Sequence, residues 1–273
     1  MPNASQQDFQ TVCREWRQYR KLSQLELALA ADVSQRHVSW LETGKSVPSR
    51  EMVIRLSEAM QVPLRERNRL LQSAGYASVY GESQLDEPAM APILDALNLV
   101  LDHHEPLPAM VVDRSWNVRK ANRSADRLLR FAGVSEDMLA RIGGGEELNV
   151  ALLTVHPEGL RGYISNWVQA APAFVRRLRS EAIASGNAEL KERFARYIEL
   201  AGPMPENEPA NGNLLPVLPL ELDMNGLKLS MFSVISTFGT PQDITTDELR
   251  IEAFYPTDDA TKRFFTEAQG AAG

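Results

Sequence analysis

A single cysteine, Cys13, stands in 273 residues, so no internal disulfide forms and no thiolate cluster can hold a metal. Histidine is nearly as scarce. The four copies give no metal-ligand spacing, and the tempting run His103-His104-Glu105 places neighbours in different directions around a helix end. No apolar run approaches the roughly 18 residues of a membrane span. The opening MPNASQQDFQ is polar where a secretory signal needs a charged start and an apolar core. The expected compartment is therefore the cytoplasm, with no membrane partner. The three consecutive glycines Gly143-Gly144-Gly145 lack the strand before, the helix after and the closing glycine of a dinucleotide fingerprint, and read as a flexible connection. What remains is ordinary globular usage, 44% apolar and 24% charged, which excludes a disordered or fibrous chain. At roughly 100 to 200 residues per domain the length suggests two domains.

The net charge of −7 argues against a nucleic-acid partner until it is divided along the chain. Residues 1–80 hold 11 Lys and Arg against 8 Asp and Glu, whereas residues 81–273 hold 18 against 28. The first part is +3 and the remainder −10, and the change falls near a candidate domain boundary.

The basic part reads as five short helices. Phe9, Cys13, Trp16 and Tyr19 recur at helical spacing. Ser23 and Glu26 form a capping box that opens a second helix over about residues 24–31, and Ser34 opens a third with Val38 and Leu41 inward and Gly44 stopping it. Pro48-Ser49-Arg50-Glu51 begins a fourth, in which Met52, Ile54, Leu56 and Met60 are apolar, and Pro63-Leu64 begins a fifth. Only Asp32-Val33 joins the second helix to the third, which is a helix-turn-helix arrangement. The string LSQLELALAADVSQRHVSWLETGKSVPSREMVIRLSEAMQV resembles the XRE/Cro/C1 helix-turn-helix family. The resemblance rests on Ser23-Gln24, Ala28, Val33-Ser34 and the run Leu41-Glu42-Thr43-Gly44-Lys45-Ser46-Val47-Pro48. Asp32 departs from it, standing where a glycine is usual. The resemblance implies a double-stranded DNA operator, read as a homodimer by the third helix in the major groove. The candidate contact residues are Ser34, Gln35, Arg36, Ser39 and Trp40, with Gln suited to adenine and Arg to guanine. Gln24 and Lys45 are placed for phosphate.

Residues 77–90 have a linker composition. The body then reads as a helix over about 92–103 (Ile93, Leu97, Val100 and Leu101 apolar), a strand 109–112, a turn, a strand 116–120, and a helix capped by Asn122. Two longer helices follow. One carries Ile164, Trp167, Val168, Ala171, Val175 and Leu178, with a kink expected at Pro172; the other carries Leu190, Phe194, Tyr197 and Ala201. Residues 202–213 read as a disordered loop and 268–273 as a disordered tail. In LPLELDMNGLKLSMF, Asn225-Gly226 is a favoured hairpin turn that fixes the pairs Met224–Leu227, Leu222–Leu229 and Leu220–Met231 on one apolar face. LRIEAFY over 249–255 is a further strand. The fold class is α+β: an all-α head over residues 1–76 and, over 91–267, a five-stranded antiparallel sheet with flanking helices.

Residues 90–265, through AMVVDRSWNVRKANRSADRLL, VHPEGLRGYISNWVQAAPAFVRRLRSEA and LRIEAFYPTDD, resemble the C-terminal domain of MmyB-like transcriptional regulators, which has a PAS-like fold. The chain departs from it at His156-Pro157 and at Met224-Asn225-Gly226. The resemblance implies a cavity for a small, apolar, fatty-acid-like ligand, and no other cofactor. The candidate lining is Trp116, Tyr163, Trp167, Phe174, Phe232 and Phe238, with His156 or Arg161 orienting a carboxylate. Three functions follow for comparison: a ligand-responsive DNA-binding regulator; a regulator whose body serves only dimerisation or a protein partner; and an enzyme on a DNA-binding module. The last finds no nucleophile–base pair, metal set or phosphate loop, so the chain is not expected to be an enzyme.

Overall fold

The short N-terminal helices each start where a side chain can accept the free N–H groups of the first turn. Asp8 accepts from Thr11 at the head of α1 (Phe9–Tyr19). Ser23 accepts from the Glu26 N–H at α2 (Gln24–Ala30), and the Glu26 carboxylate accepts in return from the Ser23 N–H, which completes the capping box. Ser34 does the same for α3 (Gln35–Glu42) and Ser49 for α4 (Arg50–Ala59). The next helix, α5 (Leu64–Ser73), follows Pro63, which has no such side chain; its Leu64 N–H donates instead to Asp247, 183 residues away, at 3.0 Å. Between α2 and α3, Asp32 takes the left-handed conformation (φ 51°) that its short polar side chain tolerates. Val53 and Leu56 of α4 and the capping Met60 are buried, whereas Met52 and Ile54 are only half-buried.

The structure is a computed structural model that describes residues 8–143, 147–203, 216–224 and 226–270. Asn225, most of the expected 202–213 loop, Gly144-Gly145 and residues 271–273 lie outside the described residues. The chain divides into two units. One runs to Ser83 and includes Thr240–Asp247; the other holds Gln84–Gly239 and Glu248 onward. The first unit thus extends past residue 76 into the stretch with linker composition. The reason is a set of specific bonds: Asn68 accepts from the N–H groups of Val79 and Tyr80 and donates to Tyr80 O, while Asp243 accepts from Ser83 N at 3.0 Å.

The second unit is built on one antiparallel sheet in the order β2-β1-β5-β4-β3, where β1 is Ala109–Val112, β2 Val118–Ala121, β3 Leu220–Met224, β4 Leu227–Thr237 and β5 Arg250–Pro256. The β3–β4 register pairs Leu220 with Met231, Leu222 with Leu229 and Met224 with Leu227, and Gly226 supplies positive φ at the turn. α6 (Ala91–His104) covers the outer face through Leu97 and Leu101 against Ala109, Val111 and Leu249, and Val100 is exposed. The inner face packs beneath α7 (Arg123–Phe131), α8 (Glu136–Ile142), α9 (Val150–Val155), α10 (Trp167–Ala184) and α11 (Ala188–Leu200). α12 (Ile244–Glu248) and α13 (Asp259–Gly270) complete the chain order, so the expected tail at 268 begins inside a helix.

Two local expectations change. Trp116 does not begin β2; it closes a turn in which its N–H donates to Asp113 O, with φ 69°, because the Asp113 carboxylate gathers the N–H groups of Ser115 and Asn117 and bends the chain there. Val168, expected on the inward stripe of α10 (Trp167–Ala184), is exposed. Ahead of α10, residues 164–166 line up along β3: Ser165 N donates to Glu221 O, and Glu221 N to the Asn166 side chain, which sets Trp167 at the cavity described below.

Candidate functional sites

The first site is the outer surface of α3. Ser34, Gln35, Arg36 and Lys45 are exposed, Ser39 is half-buried, and Val38 and Leu41 are fully buried and hold the helix to the core. Trp40 is 38% exposed, and the Arg36 guanidinium lies over its ring at 4.4 Å from the centroid, one helical turn away. The helix therefore presents two donors of hydrogen bonds at its N-terminal end and a cation stacked on an aromatic plane.

The C-terminal end of α3 is fixed from below by Glu42, which is 1% exposed. Its carboxylate accepts from Arg17 through both Nε and Nη2 and from Gln24 Nε2 at 2.8 Å. Burial alone would raise the Glu42 carboxyl, but the bonds from Arg17 and Gln24 outweigh it and hold the group below its ordinary range. Gln24, expected at phosphate, thus has one amide N–H committed to this buried carboxylate, and the other remains for a second acceptor. In the same core, burial pushes the Cys13 thiol up to about 12, so no thiolate exists near neutral pH and Cys13 acts as a small apolar residue.

The second site is a cavity of about 270 Å³ between the inner face of the sheet and α7, α9 and α10. Ala125 and Leu129 of α7, Val150 of α9, and Trp167, Ala170 and Phe174 of α10 face Met110, Leu222, Met231 and Phe254 of the sheet across it. Four polar side chains reach the wall: Thr154, Arg177, Ser233 and Glu252. Arg177 is stacked over Trp116 at 4.4 Å and its Nε donates to Glu181 at 2.9 Å. Glu181 also accepts from Trp116 Nε1 at 2.7 Å and pairs with Arg250 at 2.7 Å. Burial would raise the Glu181 carboxyl, but Arg250 and Arg177 outweigh that and hold it low. Glu252 differs: it is 6% exposed, its nearest cation atom, Arg177 Nη1, is 4.0 Å away, and burial raises its carboxyl in spite of Arg177 and a bond with Ser233.

Of the residues expected to line a ligand cavity, Trp116, Trp167 and Phe174 lie in this wall, and the others lie elsewhere. Phe232 stacks on Tyr255 on the outer face of the sheet, and Phe238 packs with the α6 cluster. The reason is strand alternation. Met231 and Ser233 point inward, so Phe232 between them must point out; the apolar hairpin pairs already carried that information. Tyr163 packs beside Ile164 outside the wall. His156 accepts from Glu158 N through Nδ1, and Arg161 donates to Leu200 O with its guanidinium over Trp167 at 5.3 Å, so neither lines the cavity. Sequence reading missed Arg177 and Glu252. Arg177 continues the stripe Trp167, Ala170, Phe174 at helical spacing, and Glu252 shares an alternate-residue face with Phe254.

Among the described residues no group of three His, Cys, Asp or Glu could hold a metal ion, and no helix is long and apolar enough to cross a membrane. Residues 93–268 match the family described as the MmyB-like transcription regulator ligand binding domain, and residues 14–67 match the helix-turn-helix family. No curated protein matches the sequence. Among solved structures, one titled "Structure of an RNA-binding Light-Oxygen-Voltage Receptor" is 13% identical with a TM-score of 0.25; it aligns with 96% of this chain, which spans 63% of that one. The ligand-binding family covers more than half of the chain and the DNA-binding family most of the head, and both are families of transcription regulators. The chain belongs to the MmyB-like transcription regulators, DNA-binding proteins with a helix-turn-helix head and a ligand-binding domain.

Proposed function

We propose that this cytoplasmic regulator binds a two-half-site operator as a homodimer, and that an apolar, fatty-acid-like molecule in the cavity of its body controls the spacing of the two heads. The observation that carries the reading is the cavity itself, about 270 Å³ of space walled by apolar side chains apart from four polar ones. A body serving dimerisation alone has no use for such a space, because a well-packed core is more stable than a hollow one. In each head, Gln35 and Arg36 reach base edges, Ser39 and Trp40 flank them, and Ser34, Lys45 and the free N–H of Gln24 hold phosphates. A head of charge +3 makes few phosphate contacts, so two heads on one operator supply the affinity that one lacks. Ligand acts by binding the two dimer arrangements unequally.

The test is denaturing mass spectrometry of protein purified from cells, followed by thermal melting against a panel of fatty acids. A co-purifying apolar molecule and a raised melting temperature with some panel members are the expected results. No co-purifying molecule together with no shift across the panel contradicts the reading.

A further inference from the structure

Resting on the reading that the body governs the head, we propose that residues 240–247, the connection between β4 and β5, are a working part of the DNA-binding head. Asp247 is its positioning residue: it caps α5 and so fastens the head core to two strands of the cavity wall.

α1 to α4 are each capped by the residue before them, and α5 is not, because the Pro63 side chain has no acceptor. Its first N–H, from Leu64, is met by the Asp247 carboxylate at 3.0 Å. The same helix buries Leu64, Leu70 and Leu71, and its Asn68 accepts from the N–H groups of Val79 and Tyr80. The chain beyond Tyr80 is then gripped by the connection itself. Ser83 N donates to the Asp243 carboxylate at 3.0 Å, Ile244 N to Gly81 O at 2.8 Å, and Thr245 Oγ1 to Ser83 O at 2.7 Å. Ile244 and Thr246 are buried.

The two ends of the connection belong to the sheet. Thr237 of β4 pairs with Arg250 of β5, so the chain leaves and returns at one point, with Phe238 and Leu249 on either side packed in the α6 cluster. Met231 and Ser233 of β4 and Glu252 and Phe254 of β5 lie in the cavity wall. The chain therefore passes between the two units three times, after residues 83, 239 and 247. A single tether would leave the head free to move on its own. Three passages, with the cap of α5 drawn from the last of them, make α5 the head helix that responds when β4 and β5 shift. Loss of a side-chain cap changes a helix-start equilibrium by about 3- to 30-fold, which falls in the range of ordinary allosteric coupling.

The test is hydrogen exchange of the full chain without ligand, read by mass spectrometry. Asp247→Ala should speed exchange at the start of α5 by about 3- to 30-fold. Because coupling is reciprocal, it should also speed exchange in β5, while α2 and α3 stay near wild type. Asp247→Asn keeps an oxygen acceptor and should remain within about twofold of wild type. Phe194→Ala, which weakens the body core, should speed exchange in α5 but not in α2 or α3; Asp247→Ala carries the test where that variant fails to fold. Unchanged α5 exchange in Asp247→Ala, or an Asp247→Asn that behaves like it, overturns the cap. An effect of Asp247→Ala that leaves β5 unchanged overturns the coupling, as does an α5 that exchanges like α2 and α3 in Phe194→Ala. No ligand enters this experiment, so each of these failures leaves the cavity reading standing.

Discussion

The head and the body place their working residues in opposite ways. In the head, the candidate DNA contacts apart from Gln24 fall within residues 34–45, on one helix and the turn that follows it. In the body, the cavity wall draws on residues from Pro108 to Phe254, brought together by a sheet in which β1, near the start of the body, pairs with β5, near its end. The head shows how a site can be local when capping and a turn fix one helix. The body shows how a site can belong to a tertiary arrangement and to no single segment.

That contrast can be broken or sharpened by substitution. Phe194 is fully buried in the body core without lining the cavity, so Phe194→Ala should destabilise the body by about 3–5 kcal/mol. Chemical denaturation followed by hydrogen exchange should show the loss in body amides and near-wild-type protection in α2 and α3. In the head, Arg17→Met strips the main partner from buried Glu42 and should cost about 3 kcal/mol. A carboxyl held below its ordinary range gives stability that is complete above that range and lost as pH falls through the lowered folded value. The gap between wild type and Arg17→Met should therefore be widest near neutral pH and narrow on acidification; a gap that widens in acid contradicts the assignment. Gln35→Ala and Arg36→Ala should each lose roughly 1–3 kcal/mol of sequence discrimination in a selection from random DNA, with melting unchanged. Unaltered specificity in both would remove α3 from the DNA-reading role. The smallest effect is Ser34→Ala, about 1 kcal/mol from a lost cap, seen as a lower melting temperature of the head.

The same contrast explains what was legible in the sequence. Ser23, Ser34, Ser49 and Gly44 act through bonds within four residues, so the starts of α2, α3 and α4 and the end of α3 could be read from the chain. Asn122 and the hairpin register were legible for the same reason. α9 was not, because five of its six residues are buried and it shows no alternation of apolar and polar sides. Trp116 looked like a strand residue until the Asp113 carboxylate was seen to bend the backbone beneath it. The cavity wall was half legible. Trp167 and Phe174 lie on a helical stripe that also points to Arg177, whereas Glu252 gains its meaning only from the arginines and the apolar wall that surround it in space.

The central claim is that an occupant of the body cavity changes how the head binds DNA. The direct measurement is the operator affinity of the full chain, by fluorescence anisotropy on a site selected from random DNA, with and without a fatty acid that raises its melting temperature. Allosteric coupling of ordinary strength predicts a change of about fivefold or more, abolished in a variant such as Ala173→Trp that fills the cavity. An operator affinity that stays the same with the cavity occupied would contradict the account.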